Sequence, residues 1–176
     1  DLSRTQNDNR ILPTITIYPG DPKQEMAGFG AALTGSSAYL INRMNSDQKQ
    51  ALLRDLFLSE NGIGLSYLRM TIGASDFSLG NYTYNDLEDG ETDFDLEKFN
   101  IAGDQGDVVP VFKNILTLNP NIHIMGSPWS PPAWMKTNNS MMGGELKKEN
   151  YSVYANYFVR YLQAYRSEGI PITSIS

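Results

Sequence analysis

Residues 63–72 read Ile-Gly-Leu-Ser-Tyr-Leu-Arg-Met-Thr-Ile, and this nearly continuous apolar run constrains the fold more than any other feature. A strand with one solvated face alternates apolar and polar residues, whereas an unbroken run fits a parallel strand covered on both faces. Parallel neighbours need crossover connections, most often helices, so the run predicts an α/β chain.

The flanking sequence supplies the other units. Residues 26–33 hold Gly28-Phe29-Gly30-Ala31-Ala32-Leu33, where small residues let backbones approach closely, and the beginning of this stretch is expected as the first strand. A helix should start at Ser46 as N-cap, with Asp47 in its first turn and Leu52, Leu53, Leu56 and Phe57 on one face, and stop at Asn61-Gly62. Residues 73–107 are rich in Asp, Asn, Gly and Tyr and read as a long loop, a kind that is usually functional or mobile. Val108, Phe112, Ile115 and Leu116 define another helix face, with Pro110 tolerable near its start. Residues 121–125 make a third strand, and three prolines keep the loop after it out of regular pairing. Asn150 is expected to cap a long helix whose Tyr151, Tyr154, Phe158, Tyr161, Leu162 and Tyr165 recur at helical spacing before Gly169-Ile170-Pro171 ends it. A fourth strand begins in 172–176. Residues 15–18 form a short strand set apart by Pro19-Gly20-Asp21-Pro22. A complete eight-unit barrel takes about 250 residues, so four units correspond to roughly half of one.

Composition narrows the function. Twenty acidic against fourteen basic residues give a net charge of -6, which argues against nucleic acid as partner. No run of apolar residues is long enough for a membrane span. The absence of Cys removes thiolate metal sites and disulfides. His123 is the single histidine and sits in an apolar strand, so Ser-His-Asp catalysis and multi-His metal centres lack parts. Gly28-x-Gly30 does not continue as a dinucleotide fingerprint, because Leu33 stands where a glycine is needed. The acidic stretch from Asp86 to Glu97 does not have EF-hand spacing and reads as a solvated loop.

In a barrel of parallel strands, chemistry sits where strands end and βα loops begin. The loop after Ile72 holds Ser75-Asp76-Phe77, and the loop after Met125 holds Trp129 and Trp134. Carboxylates and aromatic faces suit a sugar, which offers hydroxyls and apolar C–H faces. Each residue also has a plainer reading: Asp76 as an Asx-turn residue, Trp129 as a loop anchor, and Arg69 as half of a structural ion pair.

These loops resemble glycoside hydrolase family 30, the glucosylceramidase family. The motifs in order are Gly28-Phe29-Gly30-Ala31-Ala32-Leu33-Thr34, Asn61-Gly62-Ile63-Gly64 leading to Leu68-Arg69-Met70, and Ala74-Ser75-Asp76-Phe77-Ser78 with Tyr82-Thr83-Tyr84. Then come Ser127-Pro128-Trp129-Ser130-Pro131-Pro132-Ala133-Trp134-Met135-Lys136-Thr137-Asn138 and Tyr157-Phe158-Val159-Arg160-Tyr161. The resemblance implies the N-terminal half of a (β/α)8 TIM barrel over residues 25–176. It also implies that residues 1–24 contribute the 15–18 strand to an accessory β-sandwich. It implies hydrolysis of β-linked glucosides with retention, on glucosylceramide or β-1,6-glucan, without metal or cofactor. An extracellular or periplasmic setting, with a signal peptide already removed, is the expected location. By position, Asp76 and Trp129 match the family's sugar-binding residues and Arg69 the arginine that supports the catalytic carboxylates; Phe77 and Trp134 match loop aromatics.

Retention needs two carboxyl groups about 5–5.5 Å apart. The resemblance places the acid/base glutamate after the fourth strand and the nucleophile on the seventh, so neither is expected in this sequence. Glu145, Glu149 and Glu168 match no catalytic motif. The remainder of the barrel is therefore expected to be required for turnover. The competing expectation is a non-catalytic carbohydrate-binding half-barrel.

Overall fold

The computed structural model describes residues 13, 15–60 and 62–176. Four parallel strands lie side by side in chain order: β1 (Gly30–Leu33), β2 (Tyr67–Ile72), β3 (His123–Pro128) and β4 (Ser174–Ile175). Helices α1 (Gly35–Arg43) and α2 (Ser46–Phe57) connect β1 to β2. A long loop, the short α3 (Ala102–Gln105) and α4 (Val108–Leu118) connect β2 to β3, and α5 (Tyr151–Ser167) leads to β4. The expected α/β architecture with parallel strands is present.

Side chains alternate across a strand. Leu68, Met70 and Ile72 of β2 and Ile124 of β3 are buried, in one core with Phe112 and Ile115 of α4 and Tyr161 of α5. On the opposite face Tyr67, Arg69, Met125 and Ser127 are half-buried and His123 is exposed. Tyr67 stacks on His123 there and pairs with Ser174 Oγ at 3.1 Å, linking β2 to β4. Gly126 sets the approach of α5 to the sheet: a Cβ on it would meet Tyr161 Oη at 2.8 Å and Ile72 Cδ1 at 3.2 Å.

Several boundaries differ from expectation. The first strand is the end of the 26–33 run, where the ladder runs from Gly30 opposite Tyr67 to Leu33 opposite Met70. The third strand starts at His123 and continues past the expected end at 125 through Gly126-Ser127-Pro128, because Pro128 takes the last place opposite Ile72, where the ladder ends and no further N–H is needed. Residues 15–18 take no strand pairing, and Ile15, Ile17 and Tyr18 are exposed; a strand needs a ladder, and the described residues offer this segment none. Helix α1 was not foreseen. Thr34 caps it by accepting from Ser37 N, and Arg43 holds it to the start of α4 through Asp107 at 3.0 Å while lying over the Tyr39 ring. The cap of α2 is Asn45, accepting from Gln48 N at 2.9 Å, with Ser46 the first helical residue. Asn61, half of the expected stop, lies outside the described residues, as do residues 1–12 and 14. On α5 the buried residues are Val153, Tyr157, Tyr161 and Tyr165, whereas Tyr151 and Leu162 face outward. Asn150 stands at the N-cap position of α5, but its side chain donates instead to Met135 O at 3.1 Å.

Candidate functional site

Gly73 turns the chain out of β2. Its φ is +78°, and a Cβ would come within 2.9 Å of Tyr82 O, so a side chain there would be both strained and crowded. Ala74 N donates to Tyr82 O at 2.9 Å, folding the loop back onto itself. A tight turn follows in which Ser75 N donates to Ser78 Oγ at 3.0 Å and Phe77 N to Ser75 Oγ at 3.2 Å. The serines close this turn, and the Asp76 carboxylate takes no part in it and stands exposed. Phe77 O accepts from Ser36 N at 2.9 Å, docking the turn on the start of α1. The Phe77 ring itself is exposed.

The end of β3 lies beside the end of β2, with Thr71 opposite Ser127 and Ile72 opposite Pro128. Trp129 therefore leaves the sheet next to the Gly73 turn, and its indole is 54% exposed. Arg69 lies two residues before this level and donates from Nη2 to Ser127 Oγ at 3.1 Å. No ion pair of Arg69 with a carboxylate occurs among the described residues, so the structural ion pair weighed for it is not formed here. Asp76, Phe77 and Trp129 thus follow the same ends of adjacent strands, and Arg69 lies within β2, on the face it shares with Ser127.

Trp134 does not join them. It is 5% exposed, its Nε1 donates to Asn85 Oδ1 at 2.9 Å and Asn85 O at 3.2 Å, and Phe94 packs edge-on at 5.7 Å. It anchors the loop from within and offers no face for a ligand to stack on.

The connection from β2 to β3 also holds buried polar groups that the sequence did not reveal. Asn85 Nδ2 donates to Asp93 Oδ2 at 2.8 Å, and Asp93 also accepts from Glu97 N at 2.9 Å and Lys98 N at 2.8 Å. Burial pushes the Asp93 carboxyl up, but the bonds from Lys98 N, Asn85 and Glu97 N outweigh it and leave the pKa below the ordinary carboxylate range. Asp104 is 1% exposed and accepts from the hydroxyls of Tyr82, Tyr84 and Tyr165. Here burial dominates over the three phenols, and the carboxyl is held above its ordinary value. The same burial, with Asp104 close by, pushes the Tyr82 and Tyr84 hydroxyls up as well. Tyr84 stacks on both Tyr157 and Tyr161 of α5. The 73–107 stretch is therefore a packed loop with Tyr84, Leu96 and Ile101 in the core.

The second loop is braced in a comparable way. Lys147 Nζ donates to Trp134 O at 3.0 Å, Thr137 N to Glu145 O at 2.8 Å, and Lys136 bridges Leu146 in antiparallel fashion. Glu168 pairs with Lys113 at 2.6 Å on the helix side of the molecule. Among the described residues no group of three or more His, Asp or Glu side chains is placed to hold a metal ion, and no helix is long and apolar enough to cross a membrane.

Residues 26–176 match the family model described as the glycosyl hydrolase family 30 TIM-barrel domain. An endo-1,6-β-D-glucanase of Neurospora crassa is 39% identical over 168 residues, 93% of this chain and 35% of the relative. The lysosomal acid glucosylceramidase of Mus musculus is 32% identical, over 92% of this chain and 32% of the relative. A solved endo-β1,6-glucanase superposes with a TM-score of 0.80 at 38% identity, covering 93% of this chain and 37% of that one. The chain spans about a third of the length of the curated relatives it matches.

Proposed function

The chain belongs to glycosyl hydrolase family 30, and from that premise we propose that it forms part of a retaining β-glycosidase acting on β-1,6-linked glucan or a β-glucoside such as glucosylceramide. Asp76 accepts hydrogen bonds from the hydroxyls of one sugar, and Trp129 stacks on its C–H face. Phe77 lines the same rim, and Arg69 orients the catalytic carboxylates, which come from parts of the barrel other than these strands. Trp134 supports the Trp129 loop without touching sugar. Residues 1–24 belong to an accessory β-sandwich, and the enzyme works outside the cytoplasm.

The observation that carries this reading is the Ser75–Ser78 turn. It is closed by serine hydroxyls and so leaves the Asp76 carboxylate exposed in the loop after β2, while Trp129 is exposed in the loop after the adjacent β3. A carboxylate accepting two hydroxyls fixes a sugar's orientation, since each bond to a charged acceptor contributes about 1.5–3 kcal/mol.

The test is to assay the full-length protein on β-1,6-glucan and on an aryl β-glucoside, following the anomer released by proton NMR. Release of the β-anomer first supports the proposal. Release of the α-anomer overturns retention. Glucan binding without any turnover favours a carbohydrate-binding module instead. The 176-residue chain alone is expected to show no turnover.

A further inference from the structure

Lys136 is buried at 6% exposure, and its Nζ donates to Ser130 Oγ at 3.2 Å and to Met141 O at 2.8 Å. Among the described residues no carboxylate forms an ion pair with it. Taking an ammonium out of water costs several kcal/mol unless a charge or several well-placed oxygens compensate. Here the compensation comes from neutral oxygens alone. A methionine of similar length would fill the same space but leave Ser130 Oγ and Met141 O without this donor, so the two bonds are what the ammonium adds.

Ser130 is the residue after Trp129 and is itself buried. Its Oγ donates to Pro131 O at 2.9 Å, which leaves the oxygen's lone pair to receive the ammonium. One tetrahedral cation thereby joins the root of the exposed indole to the carbonyl of Met141, on the far limb of the same loop. The backbone of Lys136 is fixed in turn by its N–H to Ala133 O at 3.0 Å and by the bridge to Leu146.

We propose that Lys136 is a positioning residue for sugar binding: its buried ammonium ties Ser130 to Met141 and so sets the angle at which the neighbouring Trp129 indole meets the sugar. The inference rests on the reading of Trp129 as a sugar platform. It separates two effects that a purely structural residue would join, because Lys136→Met should weaken substrate binding, and should do so only while the Trp129 indole is present.

The experiment is a double-mutant cycle in the full-length protein on β-1,6-glucan, with melting temperatures taken alongside. Trp129→Ala should raise KM about tenfold, and Lys136→Met about three- to tenfold with kcat within about twofold of the parent. In the double variant Lys136→Met should add nothing further, since the indole it positions is gone. A neutral Trp129→Ala overturns the platform reading itself. A KM defect in Trp129→Ala with an additive Lys136→Met, or a Lys136→Met that melts lower with KM unchanged, overturns the positioning role alone. Should Lys136→Met fail to fold, Ser130→Ala removes the other end of the tie and runs the same cycle, with the same non-additivity expected and additivity again overturning the role.

Discussion

The tips of the two loops above β2 and β3 differ sharply from their buried parts. At the tips stand Asp76, Phe77 and Trp129, all exposed and none held by its own side-chain hydrogen bonds among the described contacts. Elsewhere in the same two connections, Asn85, Asp93, Asp104, Trp134 and Lys136 are buried and each is bonded to the protein. Groups that meet a ligand must be free to exchange water for it, while their position is best fixed by a layer that exchanges nothing. The two tryptophans, five positions apart, show this most plainly: one presents its ring outward and the other uses its N–H on Asn85.

That contrast can be broken by substitution, and the largest effect should come from the buried groups. Trp134→Ala should cost about 3–5 kcal/mol in urea denaturation of the full-length protein, as for other buried aromatics truncated in a core. A loss under about 1 kcal/mol would mean that the loop is not braced through this ring. Asp104→Ala leaves the buried Tyr84 and Tyr165 hydroxyls and the half-buried Tyr82 hydroxyl without their shared acceptor and should cost about 2–4 kcal/mol.

A milder change, Asp104→Asn, sharpens the electrostatic side. Because burial holds the Asp104 pKa above its ordinary 3.8 in the folded chain, the native state binds the proton more tightly than the unfolded state. This contribution is fully present below pH 3.8 and is lost as pH rises through the raised folded value. Parent stability should therefore fall relative to Asp104→Asn across that window, and a parallel pair of stability–pH curves would refute it. Asp93 has the opposite sign, its contribution being present above the ordinary carboxylate pKa and lost as pH falls through its lowered one. Smallest of all, Trp129→Ala should change stability by no more than about 0.5 kcal/mol, as expected for an exposed side chain, while the proposed platform role predicts weaker substrate binding.

The sheet and its tips were legible in the sequence because they rest on local patterns. The nearly continuous apolar run predicted β2, whereas the Gly and Pro residues after Met125 misplaced the end of β3, which runs on through Gly126, Ser127 and Pro128; the family motifs named Asp76, Trp129 and Arg69, which lie on or just after these two adjacent strands. The buried groups were not legible. Nothing near Asp104 announces that Tyr165, 61 positions away, will bond to it, and Lys136 looks like any surface lysine until Ser130 and Met141 close around it. Helix α1 was missed because Gly35-Ser36-Ser37 has poor helical propensity, and what secures it is a cap at Thr34 and a tether to Asp107 from another unit. Residues 15–18 take no pairing among the described residues, since β-branched residues form a strand only where a neighbour provides the ladder.

The most direct test of the account is Asp76→Ala in the full-length protein on β-1,6-glucan, read as kcat/KM with the melting temperature as control. Loss of two charge-assisted hydrogen bonds to one sugar predicts a fall of about a hundredfold or more with an unchanged melting temperature. An unchanged kcat/KM would contradict the account, because the carboxylate left free by the Ser75–Ser78 turn would then have no part in holding the substrate.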